Sequence, residues 1–193
     1  IDYLCLIHAL ARLGAALVPL NTRLTDEEQA WQIEPTAARL TIRTIDDLAR
    51  IQPAAFNVQP LAFDSVQSIV FTSGTTGKPK GAQITFGNLY HSALASAERL
   101  GSSPDDGASY DRWFCPLPFY HVGGLSIIFR SAIYGSSVIL PSAASTEAII
   151  KGLHDSQATI VSLVPTQLYR MLEAGFEPPP SLRLILLGGA AAS

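Results

Sequence analysis

Apolar side chains recur along this chain at two spacings that take turns. Residues 3–13 carry them at helical intervals up to Gly14, and residues 15–20 are apolar enough to read as a strand. Thr25-Asp26-Glu27-Glu28 has the order of a capping box and opens a helix that stops before Pro35. A short strand is predicted over 38–42, and Thr44 with Asp47 starts another short helix. Residues 52–64 are polar, carry prolines and read as a linker. Beyond it the apolar runs 66–71, 82–86, 112–116, 137–140, 159–164 and 182–187 read as strands. Helical spacing fills 88–100, with Asn88 as its cap, then 125–134, 146–154 and 165–173, where Pro165 takes the first turn. Residues 102–111 read as a polar surface loop. Ile-, Leu- and Val-rich strands alternating with amphipathic helices predict an α/β fold, a largely parallel sheet with helices on both faces. Ligands of such sheets sit outside the carboxyl ends of the strands, where the loops 72–81, 117–124 and 188–193 fall.

Composition narrows the picture. The chain has 193 residues, enough for one large domain or two small ones, and its 48% hydrophobic and 15% charged content marks it as globular. A net charge of −3 with no block of like charge gives no field for nucleic acid or an anionic membrane. Cys5 and Cys115 lie far apart in apolar stretches, without metal-ligand spacing, and read as buried thiols in a reducing, cytoplasmic setting. The apolar region 125–140 is interrupted by Arg130 and by Gly135-Ser136-Ser137, so it is no membrane span. The chain starts within a helical pattern and stops just past an apolar strand, which reads as a fragment of something longer.

Chemistry concentrates in Thr72-Ser73-Gly74-Thr75-Thr76-Gly77-Lys78-Pro79-Lys80-Gly81, which follows the apolar run ending at Phe71. Glycines let backbone N–H groups turn toward one point, hydroxyls add donors, and lysines add positive charge, a combination suited to a polyphosphate. It is not a Walker A loop, because Thr72 stands where that pattern needs glycine and Pro79 follows Lys78. A second segment, residues 116–125, pins an aromatic-His step, Phe119-Tyr120-His121, between two prolines and two glycines. Arg130 lies nine residues after His121 in an otherwise apolar helix. It needs an anion, a carboxylate of the protein or of a ligand, or a path to solvent. Gly188-Gly189-Ala190, after the last strand, would let a flat ring approach the backbone.

The ten-residue loop resembles the phosphate-binding motif of the adenylate-forming superfamily of acyl-CoA synthetases, luciferases and peptide-synthetase adenylation domains, and matches its T-S-G-T-T-G-x-P-K-G pattern throughout. The resemblance implies that Thr72, Ser73, Gly74, Thr75, Thr76, Gly77 and Lys80 wrap the β- and γ-phosphates of ATP. The segment around His121 is similar to the superfamily's P-x-F-H region, whose histidine lines the acyl pocket. It implies a catalytic and substrate-binding His121; Arg130, for a second carboxylate, and Gly188, Gly189 and Ala190, for a flat ring, are further substrate-binding candidates by residue type and place. His121-Val-Gly-Gly-Leu-Ser-Ile, Val164-Pro-Thr-Gln-Leu and residues 182–191 resemble the 2-succinylbenzoate–CoA ligase branch, of the menaquinone pathway. That branch implies ATP, Mg²⁺ and CoA, with a small carboxylate as the acyl substrate, and neither nucleic acid nor a membrane span. A fatty- or aryl-acid ligase, or a non-catalytic nucleotide-binding module, is the alternative; the environment of Arg130 separates the ligases. On this resemblance residues 1–193 are part of an N-terminal AMP-binding domain, with 1–51 an α/β segment, 52–64 a linker and 65–193 the core. The family's ribose- and adenine-binding motifs further on, its hinge and its lysine-bearing C-terminal domain are not in the sequence.

Overall fold

A computed structural model describes residues 2–49, 61–72, 79–101 and 111–189. The chain divides into two units, Ile1–Asn88 and Leu89–Ser193.

In the first unit, helix α1 (Asp2–Arg12) buries Ile7 and Ala11, four residues apart on one face. Cys5 falls on the opposite side and is exposed, contrary to the reading of both cysteines as buried. The capping box forms as predicted ahead of α2 (Asp26–Ile33): Thr25 N donates to Glu28 Oε2 at 2.8 Å, and Glu28 N donates to Thr25 Oγ1 at 3.2 Å. A 3₁₀ turn, Glu34–Thr36, absorbs Pro35. The short α3 (Ile45–Ala49) starts where Asp47 Oδ2 accepts from Arg43 N and Thr44 N. Strands β1 (Val66–Thr72) and β2 (Lys80–Thr85) pair antiparallel, in register from Thr72↔Lys80 to Val66↔Thr85. The connection 73–79 is too short for the crossover that parallel pairing needs, a dozen residues or more.

Two predicted strands are absent. Of residues 15–20 only Leu17 pairs, as an isolated parallel bridge to Ser68 with Leu17 N on Gln67 O and Ile69 N on Leu17 O. Pro19, which has no N–H to donate, cannot extend that ladder. Residues 38–42 find no partner strand, and Leu40 stays 54% exposed. Most of the predicted linker, 52–60, lies outside the described residues; within 61–64 a turn closes with Ser65 N on Ala62 O.

The second unit is the predicted layered α/β arrangement. Strands β3 (Arg112–Phe114), β4 (Ser137–Ile139), β5 (Ile160–Leu163) and β6 (Leu184–Leu187) form one parallel sheet in the order β4-β3-β5-β6. Side chains alternate between its faces. Trp113 and Ile160 join Ala93, Ala97, Ile127 and Tyr134 from helices α4 (Phe86–Leu100) and α5 (Val122–Tyr134). Phe114, Val161 and Leu163 join Ile149, Leu153 and Met171 from α6 (Thr146–Asp155) and α7 (Pro165–Glu173). Trp113 and Phe114 are fully buried, each stabilising the fold by roughly 1.5–3 kcal/mol. The Trp113 indole N–H donates to Ser162 Oγ at 3.0 Å, so its burial leaves no orphan donor. Helix α4 begins before the predicted Asn88 cap. Thr85 caps it instead, its N–H donating to Asn88 Oδ1 and its Oγ1 accepting from Asn88 N.

The amino edge of this sheet is fastened by polar groups. Arg183, just before β6, donates from Nε and Nη2 to the two oxygens of Asp111, at 3.0 and 2.6 Å, and from Nη1 to Leu100 O at 2.7 Å. Thr159 Oγ1 donates to Asp111 Oδ1 and accepts from Arg112 N, which ties the starts of β3 and β5 to the same pair. Hydrogen bonding to Asp111 holds the Arg183 pKa above its ordinary value. Among the described residues no helix is long and apolar enough to cross a membrane.

Candidate functional site

Of the predicted phosphate loop, the structure describes its two stems. β1 delivers Thr72 and β2 delivers Lys80 directly opposite each other, both exposed, with Thr72 Oγ1 3.5 Å from Lys80 O. Ser73, Gly74, Thr75, Thr76 and Gly77 lie outside the described residues. The stem explains the glycine that closes the motif. A Cβ at Gly81 would sit 2.8 Å from Ile69 Cγ2 and 3.3 Å from the Phe71 ring, so only glycine lets β2 lie this close to β1. Thr72 and Lys80 thus stand opposite each other at the end of the hairpin from which the connection 73–79 leaves.

In the second unit the chemistry-bearing residues gather at the carboxyl edge of the parallel sheet. After β3, residues 115–120 lead into α5, and His121 is the N-cap residue with φ −107° and ψ 145°. Its side chain makes no capping bond, so the imidazole is left exposed, edge-on to the Tyr120 ring at 4.6 Å. Helix α5 begins three residues earlier than predicted and includes Gly123-Gly124. Gly124 is essential to that start. A Cβ there would lie 2.4 Å from Pro118 O and 2.8 Å from Leu117 O, because the backbone of 117–118 packs flat on the first turn. With His121 N donating to Pro118 O at 3.3 Å, this contact fixes where His121 stands. At the start of the same segment Cys115 is buried, its Sγ 3.7 Å from Leu117 O, and burial pushes its thiol from 9.0 to about 11.

Gly188 and Gly189 leave β6 at the same edge, both exposed. Gly188 N donates to Leu163 O, and Gly189 adopts φ +85°, a region L side chains rarely occupy, with its missing Cβ 3.3 Å from Val164 Cγ1. Ala190 lies outside the described residues. Because β3, β5 and β6 run parallel, His121, the Val164 turn and Gly188-Gly189 share one edge, where sheets of this type hold ligands.

Arg130 sits elsewhere on α5. Nine residues make about two and a half turns, so it leaves the helix roughly opposite His121 and about 13.5 Å further along the axis. Arg130 Nη2 donates to Ser92 Oγ on α4 at 3.0 Å, while its buried Nε has no partner among the described residues. No carboxylate among the described residues pairs with it, and burial lowers its pKa. It lines a cavity of about 270 Å³ with Ser92, Ser96, Arg99, Leu100 and Leu186. His121 is not part of that lining, so one small pocket does not hold both residues. The sequence reading missed Ser92, Ser96 and Arg99, although their spacing of four and three residues marks one helical stripe. It also missed the Gly189–Val164 approach, which only the strand pairing reveals. Among the described residues no three His, Cys, Asp or Glu side chains cluster as metal ligands.

Residues 49–193 match the AMP-binding enzyme family. A 2-succinylbenzoate–CoA ligase of Bacillus licheniformis is 37% identical over 205 aligned residues, covering 96% of this chain and 42% of the relative. The o-succinylbenzoate CoA synthetase of Bacillus subtilis, solved with the acyl-adenylate intermediate OSB-AMP, aligns with a TM-score of 0.87 at 33% identity. That alignment covers 98% of this chain and 53% of the other. The same enzyme solved with ATP and magnesium ion gives a TM-score of 0.83 at 35% identity, over 97% and 42% of the two chains. The chain spans about two fifths of the length of the curated relatives it matches.

Proposed function

The chain belongs to the AMP-binding enzyme family, and from that premise we propose that it is part of an ATP-dependent acid–CoA ligase whose acid is 2-succinylbenzoate, acting in menaquinone biosynthesis. The observation that carries this reading is the unbroken ten-residue motif mounted on β1 and β2, with Thr72 opposite Lys80. The likeness to 2-succinylbenzoate–CoA ligases supports the choice of acid.

In the first half-reaction a carboxylate oxygen attacks the α-phosphorus of ATP, the bond to the β-phosphate bridge breaks, and pyrophosphate leaves. Residues Thr72, Ser73, Gly74, Thr75, Thr76, Gly77 and Lys80 hold the β- and γ-phosphates, where hydroxyl, backbone N–H and ammonium donors stabilise the charge that builds on the leaving group. Magnesium enters with the nucleotide as MgATP. The described stem offers the Thr72 hydroxyl and no carboxylate, which suits phosphate oxygens better than a bare cation. His121, exposed and free of a capping bond, meets the carboxylate to be activated; as neutral imidazole it donates one hydrogen bond, and as imidazolium it lowers that carboxylate's nucleophilicity. Gly188, Gly189 and Ala190 let the adenine ring lie against backbone. In the second half-reaction the CoA sulfur attacks the acyl carbon, the thiol proton is lost to solvent, and AMP leaves. The use of ATP and CoA supports a cytoplasmic setting.

The test uses the full-length protein with MgATP and 2-succinylbenzoate. Acid-dependent pyrophosphate release is expected, followed on addition of CoA by AMP and a thioester seen by mass spectrometry. No acid-dependent release from any carboxylate tried would overturn the ligase reading. The choice of acid is tested in the same assay by comparing 2-succinylbenzoate with fatty and aryl monoacids, and a clearly higher kcat/KM for 2-succinylbenzoate is expected. A monoacid used equally well would return the choice of acid to fatty or aryl acids.

A further inference from the structure

Val164 stands where β5 gives way to α7, and both polar groups of its backbone are taken. The pairing of β5 with β6 ends at Leu163↔Leu187, and Gly188 N donates to Leu163 O at 3.1 Å. Val164 N therefore needs an acceptor outside the ladder. Gln167 Oε1 supplies it at 3.0 Å, while Gln167 N donates back to Val164 O at 2.9 Å. Valine has no side-chain acceptor, so this is the reciprocal half of a capping box, and Pro165 has no N–H to compete for the amide oxygen. Val164 is thereby held extended, with φ −90° and ψ 154°. Held there, its side chain bears on the chain that leaves β6. Val164 Cγ1 lies 3.3 Å from where a Cβ at Gly189 would be, and Gly189 passes it at φ +85°. One side chain of α7 thus reaches the glycine turn through a single intermediate.

We propose that Gln167 is a positioning residue for the flat ring of the nucleotide: through its bond to Val164 N it sets the path of Gly188-Gly189, against which the ring lies. The inference rests on the ligase reading and adds a residue that acts through its neighbours. Without the Oε1 acceptor, Val164 N–H must turn to water, and its extended conformation is no longer fixed. Gly189, with the freest kind of backbone, follows the shift. The phosphates are assigned to other residues, Thr72 to Lys80, so the loss falls on the ring end of the nucleotide.

The experiment follows thioester formation by the full-length protein with MgATP, 2-succinylbenzoate and CoA, at a temperature where circular dichroism shows every variant folded. It compares inhibition by AMP, which has the ring, with inhibition by pyrophosphate, which has none. Gln167→Met, of similar length and without the acceptor, is expected to weaken inhibition by AMP about three- to tenfold, the range of one hydrogen bond, and to raise KM for ATP in proportion. Inhibition by pyrophosphate and KM for the acid stay unmoved. Gln167→Glu keeps the acceptor and restores most of the loss. Val164→Ala removes the methyl against Gly189 and weakens AMP by a similar factor, and Gln167→Met adds little to it, because the two act in series. An unchanged response to AMP, equal weakening toward AMP and pyrophosphate, no rescue by glutamate, or full additivity with Val164→Ala would overturn the positioning role, while thioester formation by the wild type kept the ligase reading standing. No thioester from any carboxylate tried would remove both.

Discussion

Replacing Gly124 by alanine sets helix propensity against backbone sterics. Propensity alone favours alanine within a helix by about 1 kcal/mol. Against it, the new Cβ would lie 2.4 Å from Pro118 O and 2.8 Å from Leu117 O, well inside van der Waals contact. Those atoms are main chain and cannot rotate away, so the overlap belongs at the upper end of overpacking costs, about 3 kcal/mol. The net expectation is a loss of about 2 kcal/mol, or a Tm lower by about 4–8 °C in a domain of 150–250 residues. Gly123 provides the control, since its nearest contact is the end of the Leu117 side chain at an ordinary 3.5 Å. Gly123→Ala should be neutral or stabilising by up to about 1 kcal/mol. The same displacement of 117–118 shifts His121, whose N–H is bonded to Pro118 O. A misplacement of about 1 Å can cost on the order of a hundredfold in rate. Thermal denaturation of both variants, with kcat/KM for pyrophosphate release, checks the argument. Equal stability changes at 123 and 124, or an unaltered kcat/KM in Gly124→Ala, would refute it.

Arg183→Met should cost about 2–3 kcal/mol in urea denaturation, less than a fully buried pair because Arg183 is 40% exposed against 11% for Asp111. The double variant with Asp111→Asn should lose less than the sum of the single changes, as interacting partners do. Cys115 has a folded pKa raised from 9.0 to about 11, so below pH 9 both states keep the proton and the thiol adds no pH dependence. Between pH 9 and 11 only the unfolded state releases it, and stability should fall by up to about 2–3 kcal/mol more in the wild type than in Cys115→Ala. In native protein a thiol reagent followed by peptide mapping should label Cys5 and spare Cys115.

What the sequence showed best were elements carrying their own local chemistry. Helix α7 matches its predicted bounds because Pro165 sets its first turn, and α2 starts where Thr25 and Glu28 cap each other. Long-range pairing was less legible. Residues 15–20 have strand-like composition, yet a strand exists only where a neighbour meets it, and Pro19 stops the one bridge at Leu17. The start of α4 was misread because Thr85 and Asn88 both have capping side chains, and only their reciprocal bonds show Thr85 to be the cap. At the candidate site, His121 and Gly188-Gly189 were visible as breaks after apolar runs, and the sheet places them on one edge. The cavity was not visible, because it depends on α5 directing Arg130 toward Ser92 and away from His121.

The clasp of Asp111, Thr159 and Arg183 and the turns bearing His121 and Gly188 stand at opposite ends of the same strands. Mutational drift can therefore visit one end without unfastening the other. A library randomised at Tyr120, Val122 and Gly188 should keep most of its members folded, since none of these positions touches the clasp. Descendants of one scaffold can diverge in what they bind long before they diverge in how they hold together.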